Sequence, residues 1–315
     1  MRFAKPLLTV LLSAAALGAQ AEQKFVNVLT GGTSGVYYPL GVALSKLYGD
    51  ALPDAKVSVQ STKASAENLN LLQAGRGEVA FSLGDAVADA WAGNEDAGFK
   101  GKLDKLRGLA GTYPNYIQIV AAADSGIRTI ADLKGKRVSV GAARSGTELN
   151  ARAVFRGAGM AYSDLGKVEY LPFGESVELI KNRQLDATLQ SAGLGVASIR
   201  DLANSVAIVV IPVTADVVEK IGNDAYQPGV IPANTYQGQT EDIPTVQIRN
   251  LLITHSGVSD EAAYAMAKAT AEGLDHLVTA HAAAKAIDRA TMTKGLPLPL
   301  HPGAERYYRE AGLLK

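Results

Sequence analysis

A glycine-rich turn between a short strand and a long helix constrains this chain more than any other stretch. Residues 25–30 are apolar enough for a buried strand, and the five residues that follow include Gly31, Gly32 and Gly35. We expect these glycines to adopt backbone angles that other residues disfavour, so that the strand ends there. Apolar residues then recur at helical spacing up to Ala51. The stretch predicts a strand, a tight turn and a helix, as in α/β proteins.

The same turn is a candidate binding site for a small anion. The first turn of a helix leaves backbone N–H groups unpaired and carries a partial positive charge. The hydroxyls of Thr33 and Ser34, with Tyr37 and Tyr38, stand beside this helix start. Because the two tyrosines are adjacent, we expect at most one of them to face the site. The alternative is an ordinary tight connection that binds nothing.

The first 21 residues have the features of a secretory signal peptide. Arg2 and Lys5 form a positively charged start, an apolar run follows, and Ala19 and Ala21 supply the small residues of a cleavage site. The apolar run is too short to serve as a stable bilayer anchor. We therefore expect cleavage after Ala21 and export to the periplasm.

Charge and composition argue against several classes of function. The chain of 315 residues has 31 basic and 31 acidic side chains, and loss of the two cations Arg2 and Lys5 leaves 29 basic ones. Such a balance does not favour a nucleic-acid partner or a polybasic membrane contact. The sequence has no cysteine, so disulfides are excluded, and its four histidines lack partners at metal-ligand spacing. We expect neither a metal nor a cofactor.

Two further units of strand, polar turn and helix follow the first. One has a strand at residues 57–60 and a helix with Ser65 as its predicted N-cap, and the other has a strand at 78–83 and a helix that opens with Gly84. In a parallel sheet these turns meet at one edge, where α/β proteins bind ligands. The polar turn residues that we expect to converge are Thr33, Ser34, Ser61, Thr62 and Asp85.

The rest of the chain predicts a second lobe inserted into the first. Strands at 106–112 and 116–123, separated by Tyr113-Pro114-Asn115, lead into a second series of strands and helices that ends near residue 211. An irregular stretch, a strand at 246–254 and one long helix at 259–278 follow. We expect a first lobe of residues 22–113 and 213–315 and a second lobe of residues 114–212. Two connections across one cleft would form a hinge.

Seven segments of the chain form a set of motifs, and they are residues 29–39, 65–69, 130–138, 145–148, 186–187, 231–236 and 301–308. In their order and spacing these motifs resemble the TAXI family, the extracytoplasmic solute receptors of tripartite ATP-independent periplasmic (TRAP) transporters. The resemblance spans nearly all of the predicted mature chain.

The resemblance implies a bilobed type II periplasmic-binding-protein fold, α/β in class, with two lobes joined by a two-strand hinge. It also implies a small carboxylate ligand, such as glutamate, 2-oxoglutarate or another acid of roughly four to six carbons, and a TRAP membrane permease as partner. The ligand-binding residues that it implies are Thr33, Ser34, Gly35, Tyr38, Thr62, Ala64, Asn68, Asp85, Ser145, Gly146, Thr147, Phe173 and the strand end from Gln190 to Gly193.

Three residues in or beside these loops depart from the family pattern. Lys63 and Arg144 stand where small residues are common, and Gln190 stands where an apolar residue is common. One cation from each lobe would clamp a dianion, and arginine suits a bidentate carboxylate contact. The alternative is that both cations are solvated at the rim. Gln190 would bind a ligand hydroxyl or amide, or pair with the backbone.

The sequence does not support catalysis. Neither glycine turn has the spacing of a nucleophile elbow, a P-loop or a dinucleotide-binding turn. Asp85 has no evident carboxylate partner, so it is a poor general base, and it would instead meet a ligand amino group or cap its helix. We expect a monomeric binding protein and no enzyme activity. A neutral amino-acid receptor or a periplasmic sensor on the same fold is the alternative, and a periplasmic enzyme acting on an organic acid is less favoured.

Overall fold

A computed structural model describes residues 24–315, so the predicted signal peptide and its cleavage site lie outside the described residues. Within this range ten strands form one sheet. The strands are β1 (Lys24–Leu29), β2 (Ala55–Gln60), β3 (Val79–Leu83), β4 (Leu106–Ala122), β5 (Arg137–Ser139), β6 (Lys167–Glu169), β7 (Ala187–Ala192), β8 (Ile208–Ile211), β9 (Gln227–Ile231) and β10 (Ile243–His255). The α-helices are α1 (Tyr37–Ala51), α2 (Ser65–Gln73), α3 (Gly84–Ala92), α4 (Gly146–Gly157), α5 (Phe173–Lys181), α6 (Ala197–Ser205), α7 (Ala215–Ile221), α8 (Asp260–Glu272), α9 (Leu274–Ala280) and α10 (Pro302–Glu310).

Two parallel groups of strands flank two long antiparallel strands. The order along the sheet is β2-β1-β3-β10-β4-β7-β5-β6, with β8 beside β4 and β9 beside β10. Strand β1 is parallel to β2 and β3, and β5 is parallel to β6 and β7. Strands β4 and β10 pair with each other and run antiparallel to their other neighbours. We call β1–β3 with α1–α3 the first lobe, and β5–β7 with α4–α6 the second lobe.

The first strand–turn–helix unit packs closely because a glycine lies at its contact. Val28 and Leu29 of β1 and Leu40 and Leu44 of α1 are fully buried. A Cβ atom on Gly41 would lie 2.3 Å from Cγ2 of Thr30, a separation that real side chains do not tolerate. The missing side chain therefore lets α1 lie directly against β1, which brings the start of the helix to the end of the strand.

Strand β4 is continuous where the sequence predicted a break. Pro114 lies within β4, opposite Arg249 of β10, and the register of this pair shifts between Arg249 and Leu251. A proline has no N–H to donate to a ladder, and bulges are among the places where a sheet accommodates it. The predicted separation into two strands was therefore wrong, and β4 passes unbroken from the first lobe to the second.

The predicted long helix at 259–278 is two helices, α8 and α9. The break falls at Gly273, where a Cβ atom would lie 2.5 Å from Cδ1 of Leu47 and 2.7 Å from the carbonyl oxygen of Ala269. The chain bends here because it presses against α1. Ser259 caps α8 by accepting a hydrogen bond from the N–H of Ala262 at 3.3 Å.

The segment before β10 lies beside the second lobe. A Cβ atom on Gly157 of α4 would lie 2.7 Å from the carbonyl oxygen of Val217 in α7. The Tyr236 hydroxyl donates to the side chain of Gln118 in the second half of β4. The sequence predicted only a short helix here and missed β9. The predicted lobe boundary at residue 213 stays a prediction. These contacts favour a boundary later in the chain, where β10 leads back to the first lobe.

Candidate functional site

A cavity of about 390 Å³ lies between the two lobes, at the ends of the strands where the predicted turns meet. Its walls come from both lobes, including β7 of the second, and from the crossing strand β4. The lobes touch around it, because the N–H of Ser198 lies 3.4 Å from the carbonyl oxygen of Ser34. Gly146 also packs tightly against the first lobe, since a Cβ atom there would lie 2.4 Å from Oγ of Ser65. The structure is therefore a closed form.

Four helices begin at the wall of this cavity, two from each lobe. The first residue of each helix lines it, and these residues are Tyr37 of α1, Ser65 of α2, Gly146 of α4 and Phe173 of α5. Each helix start presents N–H groups that the helix itself does not use, together with the positive end of the helix dipole. The cavity is thus a favourable place for an anion although few charged side chains surround it.

The glycine turn of the first lobe lines the cavity, but not for the predicted reason. Gly31, Gly32 and Gly35 have no φ angle in the left-handed region, so the expected glycine-only backbone angles are a wrong prediction. At Gly31 a Cβ atom would meet Cβ of Ala64 at an ordinary contact distance of 3.4 Å. Lack of room explains Gly35 better, because a Cβ atom there would lie 3.3 Å from the carbonyl oxygen of Gly32. The turn is closed by a hydrogen bond from Gly35 N–H to that same carbonyl at 3.0 Å.

The left-handed angles of the site fall on two other residues. Ala64 has a φ angle of 72° and occupies the N-cap position of α2, where the sequence had predicted Ser65. The Ser65 hydroxyl instead accepts a hydrogen bond from the N–H of Leu83 at 3.1 Å, which fixes α2 to the end of β3. Arg144 has a φ angle of 64°. Ser145 caps α4, accepting from the N–H of Glu148 at 3.1 Å, although it was predicted only as a ligand-binding residue.

The cavity wall contains twelve of the residues predicted to bind the ligand. They are Thr33, Ser34, Gly35, Thr62, Lys63, Ala64, Ser145, Gly146, Thr147, Phe173, Ser191 and Ala192. The structure therefore brings the turns of both lobes together around one space. Six others do not line it, and they are Tyr38, Asn68, Asp85, Arg144, Gln190 and Gly193. Of the two adjacent tyrosines, Tyr37 is the one at the cavity, and its ring stacks on Phe81 with centroids 4.9 Å apart.

Asn68 supports the cavity from behind. Its Nδ2 donates to the carbonyl oxygens of Thr30 and Phe81, each at 2.8 Å, and so ties together the ends of β1 and β3. Its Oδ1 accepts from the Thr62 hydroxyl at 2.7 Å. Both hydrogens of its amide nitrogen and its oxygen are bonded to protein groups, and the fully buried side chain lies outside the cavity wall, so Asn68 positions Thr62.

Asp85 is buried between the lobes and accepts hydrogen bonds from other side chains of the protein. Its Oδ2 accepts from the side-chain amide of Asn150 and from the hydroxyl of Tyr226, each at 2.6 Å. Burial raises the pKa of Asp85 to about 6, an effect that the hydrogen bond from Tyr226 partly offsets. Because Asp85 lies outside the cavity wall, its contacts join the two lobes instead of facing a ligand amino group.

Gln190 and Gly193 shape the second lobe's side of the site without lining the cavity. Oε1 of Gln190 accepts from the Ser198 hydroxyl at 2.6 Å, so that the side chain pairs within its own lobe. A Cβ atom on Gly193 would lie 3.0 Å from Cε2 of Tyr113 and 2.8 Å from Cβ of Ala283. Gly193 therefore makes room for the Tyr113 ring, which does line the cavity.

Among residues 24–315, the cavity wall has one lysine and one glutamate and no further Lys, Arg, Asp or Glu. Lys63 belongs to the first lobe and Glu175 to the first turn of α5 in the second, and both are exposed at the rim. Arg144 is exposed and lies outside the wall. The geometry therefore does not pair Lys63 with Arg144 across the cavity as the two-cation clamp requires.

Sequence reasoning missed Tyr113, Asn115 and Glu175 among the polar residues of the wall, whereas Ser191 lies in the predicted strand end from Gln190 to Gly193. Tyr113 and Asn115 were interpreted as a break between strands, whereas they lie on β4 where it crosses the base of the cleft. A signal was available, because a strand predicted to form the hinge must pass beneath the cleft, and polar residues on it are candidates for the site. Glu175 carried no such signal.

The described residues show no metal centre and no membrane-spanning helix. No group of three or more His, Asp or Glu side chains between residues 24 and 315 is placed to hold a metal ion. None of the helices in that range has the length and apolar character needed to cross a bilayer.

Comparison with known proteins relates the chain to one family and one fold. The model of the NMT1-like family matches residues 28–312. The periplasmic binding protein BugD aligns with a TM-score of 0.58 at 12% identity, covering 93% of this chain and 99% of that one. A binding protein component of an ABC phosphonate transporter from Pseudomonas aeruginosa aligns with a TM-score of 0.54 at 12% identity, covering 83% and 79%. The predicted bilobed α/β fold of periplasmic binding proteins is confirmed.

A third structure was solved with a ligand that carries a sulfonate. The alkanesulfonate-binding protein SsuA from Xanthomonas axonopodis pv. citri, bound to MOPS, aligns with a TM-score of 0.50 at 15% identity, covering 94% of this chain and 96% of that one. At these identities the likenesses concern the fold, and the ligand of each neighbour is a property of that neighbour.

Proposed function

The chain belongs to the NMT1-like family, and we propose that it is a periplasmic solute receptor for a small organic acid. In this proposal residues 1–21 are removed on export, and the mature protein closes its two lobes around an acid such as glutamate or 2-oxoglutarate. It then presents the ligand to a membrane permease. The motifs shared with TAXI receptors support a TRAP-type permease as that partner.

The observation that carries the proposal is the convergence of four helix starts on one cavity. The first residues of α1 and α2 in the first lobe and of α4 and α5 in the second line the same enclosed space, and the first turn of a helix carries N–H groups that the helix does not use. Such groups bind carboxylate oxygens with charge-assisted hydrogen bonds, which are stronger than neutral ones. An anion held by both lobes would stabilise the closed form relative to the open one, because only closure brings both sets of donors to it.

The size of the cavity agrees with a small ligand. A volume of about 390 Å³ lies at the lower end of the range of ligand sites in proteins. The hydroxyls of Thr33, Ser34 and Thr147 and the N-cap Ser145 add short polar contacts around the helix starts. The ring of Phe173 supplies an apolar surface for a carbon chain. A short acid with one end bound by N–H groups fits these surroundings.

One residue favours a second candidate ligand on the same fold. Glu175 is the acidic side chain of the cavity wall, and it belongs to the second lobe whereas Lys63 belongs to the first. A carboxylate near an anion site would repel a dicarboxylate but attract the ammonium group of an amino acid. A neutral amino acid is therefore the alternative, with its carboxylate at the helix starts and its ammonium group near Glu175.

A thermal-shift panel on the mature chain tests the proposal. The panel contains mono- and dicarboxylates, 2-oxo acids, amino acids, alkylsulfonates, phosphonates and sugars. A ligand at a hundred times its dissociation constant stabilises the folded state by about 2.7 kcal/mol, enough to raise the melting temperature by several degrees. We expect organic acids or amino acids to give that shift and to be recovered unchanged after denaturation. A response to sugars alone would contradict the proposal, and recovery of a converted product would identify an enzyme.

A further inference from the structure

Two residues of the cavity wall carry a hydroxyl group that has no hydrogen-bond partner within the protein. These groups are the phenol of Tyr113 and the Oγ of Ser191, and both atoms are buried. Tyr113 is fully buried and Ser191 is 5% exposed. A buried polar group that stays unpaired costs about 1–3 kcal/mol, and native proteins seldom leave one so. Both residues line the cavity.

The neighbouring polar side chains form hydrogen bonds with one another and with backbone carbonyls, and none of them is bonded to either hydroxyl. Asn250 receives a hydrogen bond from the Tyr37 hydroxyl and donates to Oδ1 of Asn115 at 2.7 Å. Asn250 also donates to the carbonyl oxygen of Tyr113 at 2.9 Å. Asn115 in turn donates to the carbonyl oxygen of Ser191 at 2.9 Å. This network holds β4, β7 and β10 in register at the base of the cleft and fixes both hydroxyl-bearing residues in place.

We propose that the Tyr113 and Ser191 hydroxyls form an interior subsite for an uncharged oxygen of the ligand, a hydroxyl or a carbonyl group. The inference rests on the proposed function and narrows its substrate class to hydroxy acids and oxo acids. The helix starts hold the carboxylate, and the subsite binds the neutral oxygen on the same small molecule.

The surroundings of the subsite favour a neutral oxygen over a second carboxylate. Its polar neighbours Tyr37, Asn115 and Asn250 are uncharged, and Lys63 lies at the exposed rim. Burial raises the pKa of Tyr113 well above its ordinary value, so the phenol keeps its proton and donates it. A carboxylate buried against two neutral hydroxyls would lose more hydration than these bonds return. A carbonyl or hydroxyl oxygen has a much smaller hydration to lose.

Titration calorimetry on the mature chain with glutarate, 2-hydroxyglutarate and 2-oxoglutarate tests the subsite, because these acids share one carbon chain. We expect the wild type to bind the oxygen-bearing acids more tightly than glutarate. Tyr113→Phe and Ser191→Ala should each reduce that preference by about fivefold or more, with affinity for glutarate changed by less than about twofold. Tyr116→Phe, on the same strand but outside the cavity wall, and Ser205→Ala, on α6, are the matched controls and should leave the preference unchanged.

A second measurement separates recognition from a structural role. Removing an unpaired buried hydroxyl relieves its burial cost, so the ligand-free Tyr113→Phe variant should melt no lower than the wild type. An unchanged preference among the three acids in both variants, or equal losses for all three, would overturn the subsite while leaving the receptor function standing. Absence of binding by all organic acids to the wild type would overturn the proposed function itself, and the subsite with it.

Discussion

The side-chain amide of Asn150 donates to Oδ2 of Asp85 over 2.6 Å, and this bond joins α4 of the second lobe to α3 of the first. The Tyr226 hydroxyl donates to the same oxygen at 2.6 Å, and Asn150 also donates to that hydroxyl at 3.0 Å. Asp85 and Asn150 are nearly or fully buried. We call these three residues the interlobe latch. Because it lies outside the cavity wall, it stabilises the closed form without contacting the ligand.

Asn150→Ala should weaken closure. Loss of the amide removes the bond between α3 and α4 and leaves Asp85 with one donor, so the closed form loses stability relative to the open one. We expect affinity for every ligand to fall by about tenfold with no change in selectivity, and the radius of gyration of the ligand-free protein to increase in small-angle scattering. Asn70→Ala, at an exposed position of α2, is the control. If the two variants behave alike, the latch has no role in closure.

The latch should also make stability depend on pH. Burial raises the pKa of Asp85 to about 6 from 3.8, so the folded state binds its proton more tightly than the unfolded state does. The contribution of this group to the free energy of unfolding is therefore fully present below about pH 4 and is lost as the pH rises through 6. Repulsion from the nearby Asp89 also raises the pKa of Asp85, and the hydrogen bond from Tyr226 lowers it.

Comparison with Asp85→Asn isolates this effect from the other titrating groups. Urea denaturation of both proteins between pH 4 and pH 7.5 gives the difference in their free energies of unfolding. We expect the free energy of unfolding of the variant to rise relative to that of the wild type by roughly 2 kcal/mol across that range, because the amide cannot be deprotonated. A difference that stays constant with pH would mean that Asp85 titrates in the folded protein as it does in the unfolded chain.

Gly146→Ala should prevent full closure. A Cβ atom at this position would lie 2.4 Å from Oγ of Ser65 and 2.7 Å from Cδ1 of Leu83, both in the opposite lobe. Overpacking of this kind costs about 1–3 kcal/mol, so affinity for the cognate ligand should fall by about tenfold or more in calorimetry. Gly49→Ala in α1 is the control, since a Cβ atom there meets nothing within 4 Å. Unchanged affinity in Gly146→Ala would show that the lobes bind ligand without approaching this closely.

Replacement of Lys63 and replacement of Arg144 should affect ligand affinity differently. Lys63 lines the cavity and Arg144 does not, although both are exposed. Lys63→Ala should weaken the binding of a dicarboxylate about two- to fivefold more than the binding of a monocarboxylate. The effect is modest because solvent screens an exposed charge. Arg144→Ala should change neither affinity by more than about twofold. A selective loss in Arg144→Ala, measured by the same titrations, would restore the two-cation clamp.

Glu175 should distinguish the two candidate ligands. Glu175→Gln removes the acidic side chain of the cavity wall with little change in shape. If the ligand is a hydroxy or oxo acid, the variant should bind it as well as the wild type or slightly better, because a repulsion is removed. An amino-acid ligand should bind severalfold more weakly, since its ammonium group loses a partner. Isothermal titrations with a neutral amino acid, such as glutamine, and with 2-oxoglutarate decide between these outcomes.

The turns of the site were predictable because their signals are local. Glycine and hydroxyl residues between an apolar strand and a periodic helix indicated the walls around Thr33, Thr62 and Ser145, and topology alone brings such turns to one edge. Individual contacts were not predictable in this way. Whether Asn68 or Asp85 faces the cavity or the protein depends on which partners surround it after folding, and no spacing in the sequence records that.

The base of the cleft could not be read from local pattern. Tyr113 lies beside Pro114, and a proline ordinarily marks the end of a strand, whereas here β10 accommodates it opposite Arg249 through a bulge. The division at Gly273 likewise depends on a contact with Leu47, which is distant in sequence. Such features follow from the packing of the two lobes and their hinge, which local propensity does not determine.

The most direct test of the anion site is a calorimetric comparison of 2-oxoglutarate with its dimethyl ester on the mature chain. The two molecules share a carbon skeleton and a neutral oxygen but differ in charge, so they separate the helix starts from the rest of the cavity. We predict that the acid binds and that the ester binds at least a hundredfold more weakly, because it offers no carboxylate to the N–H groups of α1, α2, α4 and α5. Equal affinities would contradict the anion site and leave the cavity as an apolar pocket for uncharged ligands.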